Sequence, residues 1–117
     1  MESILTSIKL LLGITEEDTS FDPQIIMHIN TVLMTLRQLA VGKPEAFRIE
    51  DAETTWVDFL GDSEDLEAVK TYVYLKVKMV FDPPSNSTLY NACKEQAAEL
   101  EWRLNIEADQ EVNVDAG

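Results

Sequence analysis

One histidine and one cysteine stand among 22 acidic residues in this 117-residue chain, so catalytic or metal chemistry would have to rest chiefly on carboxylates. Two acidic pairs, Glu50 with Glu53 and Glu64 with Glu67, have the i, i+3 spacing by which all-helical nucleotide pyrophosphatases hold magnesium. Such a site needs a matching pair on a facing helix, and Glu95, Glu99 and Glu101 do not repeat the pattern. Glu64, Asp65 and Glu67 are better explained as the first turn of a helix, where carboxylates meet the positive end of the dipole. His28 has Gln24 and Val32 four positions to either side, neither of them a metal ligand, and reads as structural. Cys93 lies on an inward helical stripe where a small hydrophobe fits, with no histidine placed to activate it. Glycine-rich phosphate loops, nucleophile elbows and cysteine clusters do not occur. The expectation is a non-enzyme with no catalytic, cofactor-binding or metal-binding residues and no cofactor.

The elements that would have to position any site are helices. The length suits one domain with a modest core, and 45% hydrophobic content argues for a folded chain. The apolar run Ile4 to Leu12 is short, follows Glu2 and contains Lys9, so it reads as neither signal peptide nor membrane span. A first helix, about Ser3 to Leu12, sets Ile4, Leu5, Ile8, Leu11 and Leu12 on one side and stops at Gly13. Asp22-Pro23 supplies a capping oxygen and a first-turn proline for a second helix reaching Val41. That helix buries Ile25, Ile29, Val32, Leu33, Leu36 and Leu39, while Met27, Met34 and Val41 line its far side. Between Lys43 and Asp62 the pattern predicts a loop and a short helix at about Glu53 to Leu60, with Trp56 and Phe59 filling one pocket.

The most regular stretch is a helical hairpin. Leu66, Val69, Val73, Val77 and Val80 make one apolar face, and Tyr72, Leu75 and Met79 make a second, so this helix is buried on two sides. Asp82-Pro83-Pro84 ends it near Phe81, because proline lacks an amide hydrogen and restricts the residue before it. Ser85, Asn86 and Ser87 offer caps for the last helix, whose inward stripe is Leu89, Ala92, Cys93, Ala97, Leu100 and Leu104. Trp102 falls opposite that stripe. The fold class expected is all-α: a small bundle of about four main helices plus a short one, with the antiparallel hairpin spanning about 63–81 and 86–105. Residues 1–105 form the domain. The tail 106–117 has four acidic residues, no basic one and few apolar anchors, and is expected to be disordered alone.

Nine basic residues against 22 acidic give a net charge of −13, a surface that repels phosphates and anionic membranes. Specific nucleic-acid binding and membrane association are therefore excluded as expectations. An acidic surface can still serve DNA, either as a channel wall along which a duplex slides or as a mimic that blocks a DNA-binding protein.

The run LEAVKTYVYLKVKMVFDPPSNSTLYNACKEQAAELEWRLN, with TWVDFLGD upstream and SILTSIKLLLGITEEDTSFDPQIIMHIN at the start, resembles the head-tail connector (adaptor) proteins of long-tailed phages of Gram-positive bacteria. The resemblance covers roughly residues 3 to 105 and is carried by structural motifs. It implies a virion protein, synthesised in the host cytoplasm, that forms a twelvefold homo-oligomeric ring under the portal protein at the head-tail interface. Such a ring offers a platform to a downstream stopper or tail-completion protein, and double-stranded DNA passes through it unbound. On that reading Met27, Met34, Tyr72, Leu75, Met79 and Trp102 are candidates for subunit contact. Glu16, Glu17 and Asp18, or Glu50, Asp51 and Glu53, are candidates for an acidic channel lining. The tail, anchored by Ile106, Val112 and Val114, is the candidate for docking on the portal and ordering there. The rival readings are an acidic DNA-mimic or other helical inhibitor, and the metal-dependent nucleotide hydrolase.

Overall fold

The computed structural model describes residues 2–42, 45–61 and 63–116, with side chains through Ile106. Five helices follow one another: α1 (Ile4–Leu11), α2 (Asp22–Gln38), α3 (Trp56–Leu60), α4 (Leu66–Phe81) and α5 (Ser87–Ala116). The fold is all-α, as the periodicity predicts, and an isolated antiparallel bridge joins Ser3 to Thr55.

α1 begins where the Ser3 hydroxyl accepts the Thr6 N–H at 3.2 Å and ends before Gly13, whose φ of 84° suits a residue without a Cβ. Ile4, Leu5 and Ile8 are buried and Leu12 is half-buried against the core, but Leu11 stands in solvent rather than on the core side. Lys9 is also buried. Its Nζ donates to the Glu16 carbonyl at 3.1 Å and lies 2.9 Å from Asp22 Oδ1. This pairing claims the carboxylate expected to cap α2. The N-cap of α2 is Phe21, with no side-chain cap bond, and Pro23 sits in the first turn as expected.

α2 buries Ile25, Ile29, Val32, Leu33 and Leu36, then ends at Gln38, short of Val41. Ala40 takes a left-handed φ of 65° and turns the chain, which brings Val41 into the core instead of leaving it on the far side of a helix. Gly42 follows with φ 83°, and a Cβ there would collide with the Phe59 ring. Both its conformation and its neighbour therefore demand glycine.

α3 starts at Trp56, later than the spacing predicts, because Thr55 and Asp58 form a reciprocal capping box. Trp56 and Phe59 are both buried, as expected from their spacing. The Trp56 indole donates to Ser7 Oγ at 2.8 Å, which satisfies its polar end inside the core.

α4 packs between α2 and α5, and α1 lies against both α2 and α4. After the Pro-Pro break, Asn86 Oδ1 accepts the N–H groups of Thr88 (2.7 Å) and Leu89 (3.2 Å) to cap α5. Ala97 and Leu104 are buried against the core, with Cys93 and Leu100 half-buried. In the hairpin, three residues assigned to inward stripes face water instead: Val80, Leu89 and Ala92. Val80 does so between Met79 and Phe81, which are half-buried against the core, and Leu89 and Ala92 lie in the first two turns of α5. The backbone of α5 runs as helix through Ala116, past the boundary expected near 105.

Candidate interaction surface

The carboxylate pairs that could have held a metal are not displayed on helices. Glu50 and Glu53 occupy irregular backbone before α3, and Glu64 precedes α4, so the i, i+3 geometry does not arise. Among the described residues no group of three or more His, Cys, Asp or Glu is placed to hold a cation. His28 and Cys93 are half-buried.

The six candidates for subunit contact divide sharply. Tyr72 and Leu75, expected to be buried between subunits or between helices, are buried within the chain: the second apolar line of α4 is covered by its own neighbour helices. The Tyr72 hydroxyl donates to Glu101 Oε2 on α5 at 2.8 Å. Burial first, and then that carboxylate, raises the phenol's pKa above its ordinary value. Met79 is half-buried against the core. The other three remain outside: Met27 is 59% exposed, Met34 53% and Trp102 65%.

Met27 and Met34 are not isolated. The segment after α2 folds back along it and is tied to it by Asn30, whose amide donates to the Ile49 carbonyl at 3.0 Å and whose oxygen accepts the Ile49 N–H at 2.7 Å. This clamp seats buried Ile49 and brings Phe47 and Arg48 beside the helix. Phe47 in turn rests against Phe59, with ring centroids 5.0 Å apart. A groove of about 510 Å³ results, with Met27, Met34, Ile26 and Phe47 as its apolar lining and Arg37 and Arg48 at its margin. The methionines were legible as exposed apolar positions. The other wall was not, because the pairing of Asn30 with Ile49 is long-range and leaves no local pattern.

The two candidate acidic loops come to the same end of the molecule. Glu16 is tied through its carbonyl to Lys9, and Lys9 to Asp22 at the start of α2. Glu50 and Asp51 share a second cavity, about 480 Å³, with Asp22 and Pro23. All six carboxylates, Glu16, Glu17, Asp18, Glu50, Asp51 and Glu53, are exposed. Asp18 Oδ1 accepts the Ser20 N–H at 3.1 Å, and that bond holds its pKa below the ordinary carboxylate value. Asp51 Oδ1 likewise accepts the Glu53 N–H at 2.9 Å. The side chains of Val112 and Val114 lie outside the described residues.

An acidic helical domain that leaves an apolar groove and an outward tryptophan is built to be a part of something larger. Its sequence matches the family model described as phage connector protein over residues 4–111, and the chain belongs to that family. No match was found among curated proteins or among solved structures. The family is one of structural proteins, so the chain is a virion component that connects phage head to tail and associates there with other virion proteins. No helix among the described residues is long and apolar enough to cross a membrane.

Proposed function

We propose that this connector assembles as a homo-oligomeric ring, twelvefold by the resemblance, bound under the portal protein of a phage of Gram-positive bacteria. The ring continues the DNA channel and presents a surface to the next stopper or tail-completion protein. The observation that carries this reading is the pair of unpartnered outer surfaces, the apolar groove on α2 and the exposed Trp102 on α5, separated by α4. A subunit with two different unpartnered faces suits head-to-tail closure, in which each copy uses one face toward each neighbour.

The acidic loops at the N-terminal end of α2 are proposed to line the channel, where repulsion keeps the duplex from adhering through many phosphate contacts. The tail 106–117 is proposed to dock on the portal through Ile106, Val112 and Val114, with its carboxylates beside portal Lys or Arg. The helical backbone of α5 through Ala116 suits docking of this tail as a helix. Mixing the purified chain with portal rings and imaging the complexes by electron microscopy tests the assembly. The expected result is a second ring beneath the portal with acidic residues on its inner wall. Absence of binding, single copies on the portal, or an inner wall dominated by lysine and arginine would overturn it.

A further inference from the structure

We infer that the contact between neighbouring copies is made by Trp102 of one chain seated in the α2 groove of the next, an assignment that rests on the ring reading and specifies its interface. The groove's volume, about 510 Å³, falls within the range of roughly 300–1,000 Å³ that encloses a compact apolar body. Its lining suits an aromatic guest. Met27 and Met34 are flexible and polarizable, so they adapt to an indole and make favourable sulfur-aromatic contacts. Trp102 is 65% exposed, and tryptophan is the side chain most often found as the energetic anchor of an interface.

Charge selects the occupant. Copies that each carry −13 repel, so a stable contact between them has to bring a cation of one to a carboxylate of the other. At the groove stand two of the chain's nine basic residues, Arg37 and Arg48. Arg48 is exposed, and it has no ion pair among the described residues. On α5, Glu95 and Glu99 precede Trp102 by seven and three positions, which places all three along one face of the helix. Both carboxylates are exposed; Glu99 holds Arg103 of its own chain at 2.6 Å, and Glu95 carries no ion pair among the described residues. Glu95 is thus the carboxylate open to Arg48 of a neighbour. A chain cannot fill its own groove with this ridge, because α4 stands between α2 and α5. The contact is therefore heterologous, one face to a different one.

Sedimentation of the full chain, alone and on portal rings, tests the assignment with variants that sit in solvent and leave the core intact. Trp102→Ala and Met34→Lys should each weaken self-association about tenfold or more, on the scale of an anchor residue. Mixed together, they should form a one-to-one pair and nothing larger, since the first still offers a groove and the second still offers a tryptophan. Arg48→Glu should weaken association, and Glu95→Arg in the same chain should restore it. Circular dichroism melts matching wild type keep these losses from being read as unfolding. Rings that form equally well from either single variant would overturn the tryptophan contact while leaving the ring reading in place. Failure of the mixture to pair would do the same. A wild-type chain that stays single both alone and on the portal would overturn both.

Discussion

α4 and the pair of outer faces on α2 and α5 start from the same sequence pattern and end differently. Each shows apolar residues on the side away from a main stripe: Tyr72, Leu75 and Met79 on α4, Met27 and Met34 on α2, Trp102 on α5. On α4 that second line is covered, because the helix is the middle layer and has a helix of its own chain on each side. On α2 and α5 it is bare, because those helices are outer layers. Period alone thus marks a face that wants cover. Position in the stack decides whether the chain supplies that cover.

Substitution should separate the two cases most strongly at Leu75. Leu75→Glu places an unpaired carboxylate in the core and is expected to cost about 3–5 kcal/mol, unfolding much of the population, whereas Met34→Glu should change stability by less than about 0.5 kcal/mol. Urea denaturation of the two variants checks this. Equal costs would erase the distinction between covered and bare faces.

Two smaller changes address the wall that turns the bare face of α2 into a groove. Gly42→Ala meets both a left-handed φ and the Phe59 ring, and should cost roughly 1–3 kcal/mol. Asn30→Ala removes both bonds to Ile49 and should cost about 1–3 kcal/mol while freeing residues 46–48 from α2. Amide hydrogen exchange at Ile49 reads the second directly. Protection as in wild type would show that the clamp is dispensable.

The smallest effect belongs to the covered face. Because burial and Glu101 raise the Tyr72 pKa above its unfolded value of about 10, the bond contributes fully below that pH, and its contribution falls away as pH rises beyond it. Tyr72→Phe should therefore be less stable than wild type by about 1 kcal/mol at neutral pH, with the gap closing above pH 10. Thermal melts across pH 7 to 11 test the sign; a gap that widens would contradict it.

Most of the helical architecture was legible because its signals are local. Ser3, Gly13, Pro23 and Pro83-Pro84 mark ends within a residue or two of themselves, and stripes at intervals of three and four name buried positions such as Ile25, Ile29, Val69 and Val73. Misreadings gathered where a long-range partner overrode a local rule. Asp22 looked like a cap and was taken by Lys9; Val41 looked like helix and was turned inward by Ala40. Val80 and Leu89 kept the period of a core stripe yet face water. The candidate surface was half legible: exposed methionines and the outward Trp102 follow from the wheel, but Phe47 and Arg48 are brought to α2 by long-range contacts such as the Asn30–Ile49 clamp.

The two tryptophans of this chain sit in opposite environments, and that makes the protein its own optical reporter. Trp56, dry and hydrogen-bonded to Ser7, should emit at short wavelength, while Trp102, exposed, should emit at long wavelength and be open to acrylamide quenching. Folding is written in the blue component and the fate of the outer surface of α5 in the red one, so a single spectrum records both without any label.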